Sequence, residues 1–200
     1  MFWNKISVVY DFVENIFNGK VNKEITQHVA SLTDGNDDVL ECACGTGMFS
    51  LPIARRCRSL IATDFAVGML AQAQKKCRHQ PNVIFRKADI TSLGYADESF
   101  DKVVAANVIH LLDDPRKALD ELWRVCRRGG VIIIPTYINK SSKSASLAAK
   151  FFNMLGAGFK REFDEESYHE FFKQMGYAVS EYHTADGRMP CCAAIIRKMK

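Results

Sequence analysis

No stretch of this 200-residue sequence carries five or six like charges in a row, and 27 Lys and Arg against 23 Asp and Glu leave a net charge of only +4. A basic arm or stripe of the kind that tracks nucleic-acid phosphates is therefore not expected. No apolar run is long enough to cross a bilayer. The opening, MFWNKISVVYDFVENIF, carries Asp11 and Glu14 where a secretory leader would be uniformly apolar, which leads to the expectation of a chain that is not exported. A Cys-x-x-Cys pair is also missing. Cys42 and Cys44 are one residue apart and Cys191 and Cys192 are adjacent, and seven cysteines cannot all pair. The reading is reduced thiols behaving as small hydrophobes in a cytoplasmic protein, with no zinc site.

The sequence does hold enough apolar material, 48% of residues, for one substantial core and one domain. Ile6, Val9, Tyr10, Val13, Ile16 and Phe17 fall on one helical stripe that Gly19 should end. A second amphipathic segment carries Val21, Ile25, Val29 and Leu32. After TDGND the pattern alternates. DVLECA, SLIATD, NVIFRKAD, FDKVVAAN and GGVIIIPTYI read as strands. GMFSLPIARRC, GMLAQAQKKCRHQ and DPRKALDELWRVCRR read as helices. Short apolar strands alternating with helices predict an α/β, doubly wound, mostly parallel sheet covered on both faces, with right-handed crossovers.

After Ile138 the rhythm changes. A helical stretch over 144–159 precedes the helix DEESYHEFFKQMG, for which Asp164 is the expected N-cap. YAVSEYHT and PCCAAIIRKM then form a strand pair turning at Asp186-Gly187, which brings the sheet to seven strands and makes one antiparallel. Residues 1–35 are thus N-terminal helices, 36–138 a ligand-binding core, and 139–200 lid helices and the strand pair of one domain.

Chemistry concentrates in ECACGTG, at the end of the first strand. Ligands of open parallel sheets bind beyond the carboxyl ends of the strands. The dinucleotide fingerprint needs a third glycine, but Ser50 stands there after Met48 and Phe49. The P-loop needs a Lys followed by Ser or Thr, which is missing too. An acid heading the loop would repel phosphate and attract a cation or an amine.

ECACGTG resembles the first motif of the class I S-adenosylmethionine-dependent methyltransferases, acid-x-Gly-x-Gly-x-Gly, with Ala43 in place of the first glycine. The similarity covers residues 36–138 well and the remainder loosely, and is greatest to the ubiquinone-biosynthesis-like group. It implies S-adenosylmethionine as cofactor and a Rossmann-like fold. By it Glu41 and the backbone around Ala43, Gly45 and Gly47 face the cofactor's amino-acid part, and Asp64, ending the second strand, binds the ribose. A carboxylate suits that role because a vicinal diol offers two donors. Phe65 and Met69 flank the adenine by the same resemblance, Asp89 accepts from its amino group, and the Ile90 amide meets a ring nitrogen. Asn107 lines the amino-acid end, and Tyr10 sits on a helix that closes over the cofactor.

His110, past the fourth strand, is a candidate general base or acceptor contact, and Tyr137, past the fifth, a second candidate facing the pocket. The motifs of DNA-amino and cytosine-C5 methyltransferases are missing after the fourth strand, so the expected partner is a small-molecule acceptor, lipid or quinone-like, and not nucleic acid. Apolar residues of 144–159 would act as a lid over it. A cofactor-binding regulatory or scaffold module without methyl transfer is the alternative, and the missing third glycine weighs against an NAD-dependent oxidoreductase.

Overall fold

The computed structural model describes residues 18–140 and 160–199; Tyr10 and the expected lid at 144–159 lie outside them. In chain order the elements are helix α1 (residues 18–31), β1 (Asp38–Cys42), α2 (Ser50–Ala54), β2 (Ser59–Asp64), α3 (Val67–Lys76) and β3 (Val83–Lys87). Then follow β4 (Phe100–Ala105), a 3-10 turn (Ile109–Leu111), α4 (Pro115–Val125), β5 (Cys126–Tyr137), α5 (Glu165–Gln174), β6 (Glu181–Ala185) and β7 (Cys191–Arg197).

The strands form one sheet in the order β3-β2-β1-β4-β5-β7-β6. Neighbours from β3 across to β5 pair in parallel, and β7 lies antiparallel between β5 and β6. The expected seven strands with one antiparallel are all present. From β1 the chain winds one way to β2 and β3 and the other way to β4 and β5. Strand order therefore reverses between β1 and β4, and the loops above these two strands diverge and open a crevice.

Strand residues alternate between two buried layers. Leu40, Val103, Ile132 and Ile134 face α4 and α5, while Val39, Val104, Val131 and Ile133 face α1, α2 and α3. The period of two in β5 thus fills both cores, which is why VIII reads as continuously apolar. In α4, Ala118, Leu119, Leu122 and Val125 form the buried stripe; each fully buried leucine contributes about 2 kcal/mol. Asp114 caps α4 by accepting from the Lys117 amide, ahead of Pro115. Asp164 and Ser167 form a reciprocal capping box on α5, so the expected N-cap is present.

Several element boundaries differ from the periodicity; α3 ends at Lys76 and not at Gln80, and β6 starts at Glu181 and not at Tyr177. Residues 18–20 are helical, so Gly19 continues α1 and does not end a helix. Helix α2 starts at Ser50 and not at Gly47, because Gly47 has φ +81°, a left-handed conformation that no right-handed helix contains. Arg127 and Arg128 belong to β5 instead of prolonging α4, because Cys126 already pairs with Phe100 of β4.

Candidate active site

A cleft of about 490 Å³ opens above the carboxyl ends of β1, β2 and β4. One wall is the loop 43–49. Its backbone turns through three left-handed residues, Ala43 (φ 52°), Gly45 (φ 55°) and Gly47 (φ 81°). The Cys44 amide donates to the Thr63 carbonyl at 2.8 Å and the Gly47 amide to the Cys44 carbonyl at 2.9 Å, so the loop is tied to β2 and folded on itself. The two glycines serve different ends. A Cβ on Gly45 would meet no atom within 4 Å, which leaves its backbone open to a ligand. A Cβ on Gly47 would stand 3.1 Å from the Cα and Cβ of Ala73, so this glycine lets the loop pack against α3. Gly47 does not line the cleft.

Three acids stand at the ends of three neighbouring strands and all line the cleft. Glu41 shares the face of Val39, toward α2, and is 1% exposed. Ser50, the first residue of α2, donates from Oγ to Glu41 Oε2 at 2.6 Å. Burial pushes the Glu41 carboxyl up to about 8; the Ser50 hydroxyl opposes that rise and the neighbouring Asp64 adds to it. Asp64 accepts from the Gly45 amide (Oδ2, 2.8 Å) and from the Ala66 amide (Oδ1, 2.7 Å). Burial raises its pKa against the pull of these amides. The Phe65 amide adds to this pull, and a carboxylate with about four acceptor sites still has capacity left for a hydroxyl donor. At Asp89, Oδ1 is occupied by the amide and hydroxyl of Thr91, both at 2.8 Å, which holds this carboxyl below the usual range and leaves Oδ2 for a donor.

Of the other expected residues, Ala43, Gly45, Phe65, Met69, Ile90 and Asn107 line the same cleft. Phe65 is 51% exposed, a large apolar surface presented to the opening. Asn107 adopts φ 52° and its Oδ1 accepts from the Tyr137 amide at 3.2 Å, so its side chain also braces β5.

Besides Gly47, two expected residues are absent from the cleft lining. His110 is 6% exposed and absent from the lining. Burial, with Arg161 nearby, drops its pKa to about 4. Tyr137 is likewise absent from the lining, and its hydroxyl donates to Asn22 Oδ1 on α1 at 2.7 Å. The expectation that these two face the pocket is corrected accordingly. The left-handed turn at Asn107 redirects the chain after β4, so position beyond a strand end did not decide side-chain direction.

Sequence reasoning missed Ser50 as the partner of Glu41, although it was visible as the residue replacing a third glycine. Leu111, Leu112 and Asp113, which complete the far wall, carried no motif. Cys44 lines the cleft too, but burial beside Glu41 and Asp64 raises its thiol well above the usual range and keeps it un-nucleophilic. All seven cysteines are buried and none forms a disulfide. Among the described residues no helix is long and apolar enough to cross a membrane, and no group of three or more His, Cys, Asp or Glu is placed to hold a metal ion.

A Rossmann-like sheet with acids at the ends of its first three strands, and a glycine loop lacking phosphate-binding features, defines an α/β protein with a cleft where strand order reverses. Comparison with known proteins makes the class specific. A methyltransferase domain model matches residues 40–134. A phosphatidylethanolamine N-methyltransferase of Cereibacter sphaeroides is 31% identical over 156 residues, 74% of each chain. A demethylmenaquinone methyltransferase of Clavibacter sepedonicus is 32% identical over 135 residues, 66% of this chain and 55% of the relative, so the chain spans little more than half of that protein. A SAM-dependent methyltransferase structure from Thermotoga maritima superposes with a TM-score of 0.73 over 98% of both chains at 18% identity. The chain belongs to the class I S-adenosylmethionine-dependent methyltransferases.

Proposed function

We propose that this chain transfers a methyl group from S-adenosylmethionine to a small lipid-like acceptor, a quinone-ring or phospholipid-amine compound. The observation that carries the reading is one cleft in which Glu41, Asp64 and Asp89 follow one another along neighbouring strand ends and face an apolar wall containing Leu111 and Leu112. The residues present fit the cofactor. Gly45 offers unobstructed backbone, Asp64 keeps acceptor capacity for a ribose hydroxyl, Asp89 keeps Oδ2 for an amino group, and Glu41 keeps Oε1 for an ammonium.

The cofactor supplies a methyl group activated by its own sulfonium charge, so the protein's task is alignment and exclusion of water. Glu41, Gly45 and Asn107 would hold the amino-acid end, Asp64 the ribose, and Asp89 with Phe65, Met69 and Ile90 the adenine. The wall at 111–113 is then left for the acceptor. The two relatives named above act on phosphatidylethanolamine and on demethylmenaquinone, and both names fit an apolar wall.

The deciding experiment incubates the purified chain with methyl-labelled S-adenosylmethionine and either phosphatidylethanolamine vesicles or reduced demethylmenaquinone in detergent micelles. Label in one lipid, abolished by Asp64→Ala, supports the reading. Tight S-adenosylhomocysteine binding with no label in either lipid overturns the acceptor class.

A further inference from the structure

The turn after β4 that forms the far wall of the cleft does not hold itself in place. Its own backbone supplies one bond, Leu111 N–H to the Val108 carbonyl at 2.9 Å, and a 3-10 turn of three residues has little other internal support. Besides the core packing of Val108 and Ile109, residues some fifty positions later hold it. The Arg161 Nη1 donates to the Ile109 carbonyl at 3.0 Å and to the Leu112 carbonyl at 2.7 Å. The amides of Lys160 and Arg161 both point at the His110 carbonyl, at 3.0 and 3.3 Å. Lys160 Nζ also reaches Asp113 at 2.8 Å, an exposed pair that adds little. Three carbonyls of the turn are therefore taken by two consecutive residues, and one guanidinium bridges two of them.

What this strap fixes is the part of the cleft that the cofactor's polar groups do not claim: Leu111, Leu112 and Asp113. We propose that Arg161 is a positioning residue for the methyl acceptor, setting where this wall stands and hence which acceptor the cleft admits. The inference rests on the methyl-transfer reading above and extends it to a residue outside the cleft. A guanidinium is suited to the task because its charge is permanent and its plane fixes the two N–H groups of Nη1, one for each carbonyl. A lysine ammonium on its flexible stem cannot reproduce that geometry.

The test compares wild type with Arg161→Ala and Arg161→Lys by three readouts. Amide hydrogen exchange should accelerate at least tenfold over residues 108–113 in Arg161→Ala, with β1 to β5 unchanged. S-adenosylhomocysteine affinity by calorimetry should stay within threefold. With phosphatidylethanolamine vesicles or reduced demethylmenaquinone, whichever wild type methylates, KM for the lipid should rise about tenfold while kcat changes less, and Arg161→Lys should not restore it. Unchanged exchange at the turn, an equal loss of cofactor affinity, or a KM that does not move would overturn the proposal. If wild type methylates neither lipid, the proposed acceptor class fails, while exchange and cofactor affinity still decide whether Arg161 holds this wall alone.

Discussion

The Gly45 amide donates to Oδ2 of Asp64 at 2.8 Å, so the loop after β1 and the acid ending β2 form a single unit. Asp64 therefore anchors the open backbone of the loop, and in the proposed function it would also take the ribose diol. Removing it should cost the ligand more than one hydrogen bond.

In a thermal-shift titration, S-adenosylhomocysteine at a hundredfold over its Kd should stabilise wild type by about 2.7 kcal/mol. Asp64→Ala should weaken binding at least tenfold, about 1.4 kcal/mol, and Asp64→Asn, which keeps one acceptor oxygen, should fall between. NAD should shift neither protein. A shift with NAD alone would refute S-adenosylmethionine as the cofactor.

The glycines of the loop should separate in a pair of substitutions. Gly47→Ala drives a Cβ to 3.1 Å from the Ala73 backbone at φ +81°, so it should destabilise the fold by roughly 1–3 kcal/mol. Gly45→Ala meets only left-handed strain, about 1 kcal/mol, because its Cβ position is open. Its main effect should be on cofactor affinity, read by calorimetry against the melting temperature. The reverse change, Ala43→Gly, relieves an alanine at φ 52° and should leave the melting temperature equal or higher.

Glu41 should give cofactor binding a distinct pH dependence. With its carboxyl raised to about 8, the neutral acid predominates at pH 7, and an ammonium ligand selects the ionised form. S-adenosylhomocysteine affinity should rise up to about tenfold per pH unit between pH 6 and 8, and Glu41→Gln should bind weakly with a flat profile. The sign for stability is opposite. Because the folded pKa lies above the ordinary 4.5, the carboxyl carries no penalty below that pH and an increasing one as pH rises toward 8. The unliganded wild type should therefore lose stability over that range relative to Glu41→Gln.

His110 should weaken the protein in acid. Its folded pKa, about 4, lies below the ordinary 6.5, so stability is complete above 6.5 and is lost as pH falls toward 4. The span corresponds to roughly 3 kcal/mol. His28, stacked on His183 at 3.6 Å and lowered by burial, acts in the same direction. A melting curve against pH for His110→Gln should fall less steeply between 6.5 and 4; an identical slope would remove His110 from the acid response.

Most of the fold was legible because it is written locally. The alternation of apolar runs and amphipathic stretches gave the strands of the sheet and most helices, and the Asp164 cap and the antiparallel β7 were both anticipated. The acids Glu41, Asp64 and Asp89 were legible for a related reason: each sits at or just past a strand end, and parallel strands bring such ends together on one edge. Helix limits at Gly19 and Gly47 were not, since a glycine's sequence neighbours do not reveal whether its backbone is right- or left-handed.

By itself, then, the sequence determined the order of elements, the doubly wound sheet and the row of acids along its rim, because periodicity and strand direction are properties of short segments. Only the tertiary structure decided which way the chain leaves β4, that His110 is buried off the cleft lining, and that the Tyr137 hydroxyl turns to Asn22. It alone assigned Gly47 to packing against Ala73 and joined Arg161 to the 109–112 carbonyls. These are contacts between segments distant in the chain, and they depend on left-handed turns and on which neighbour fills a space, neither of which a local pattern encodes.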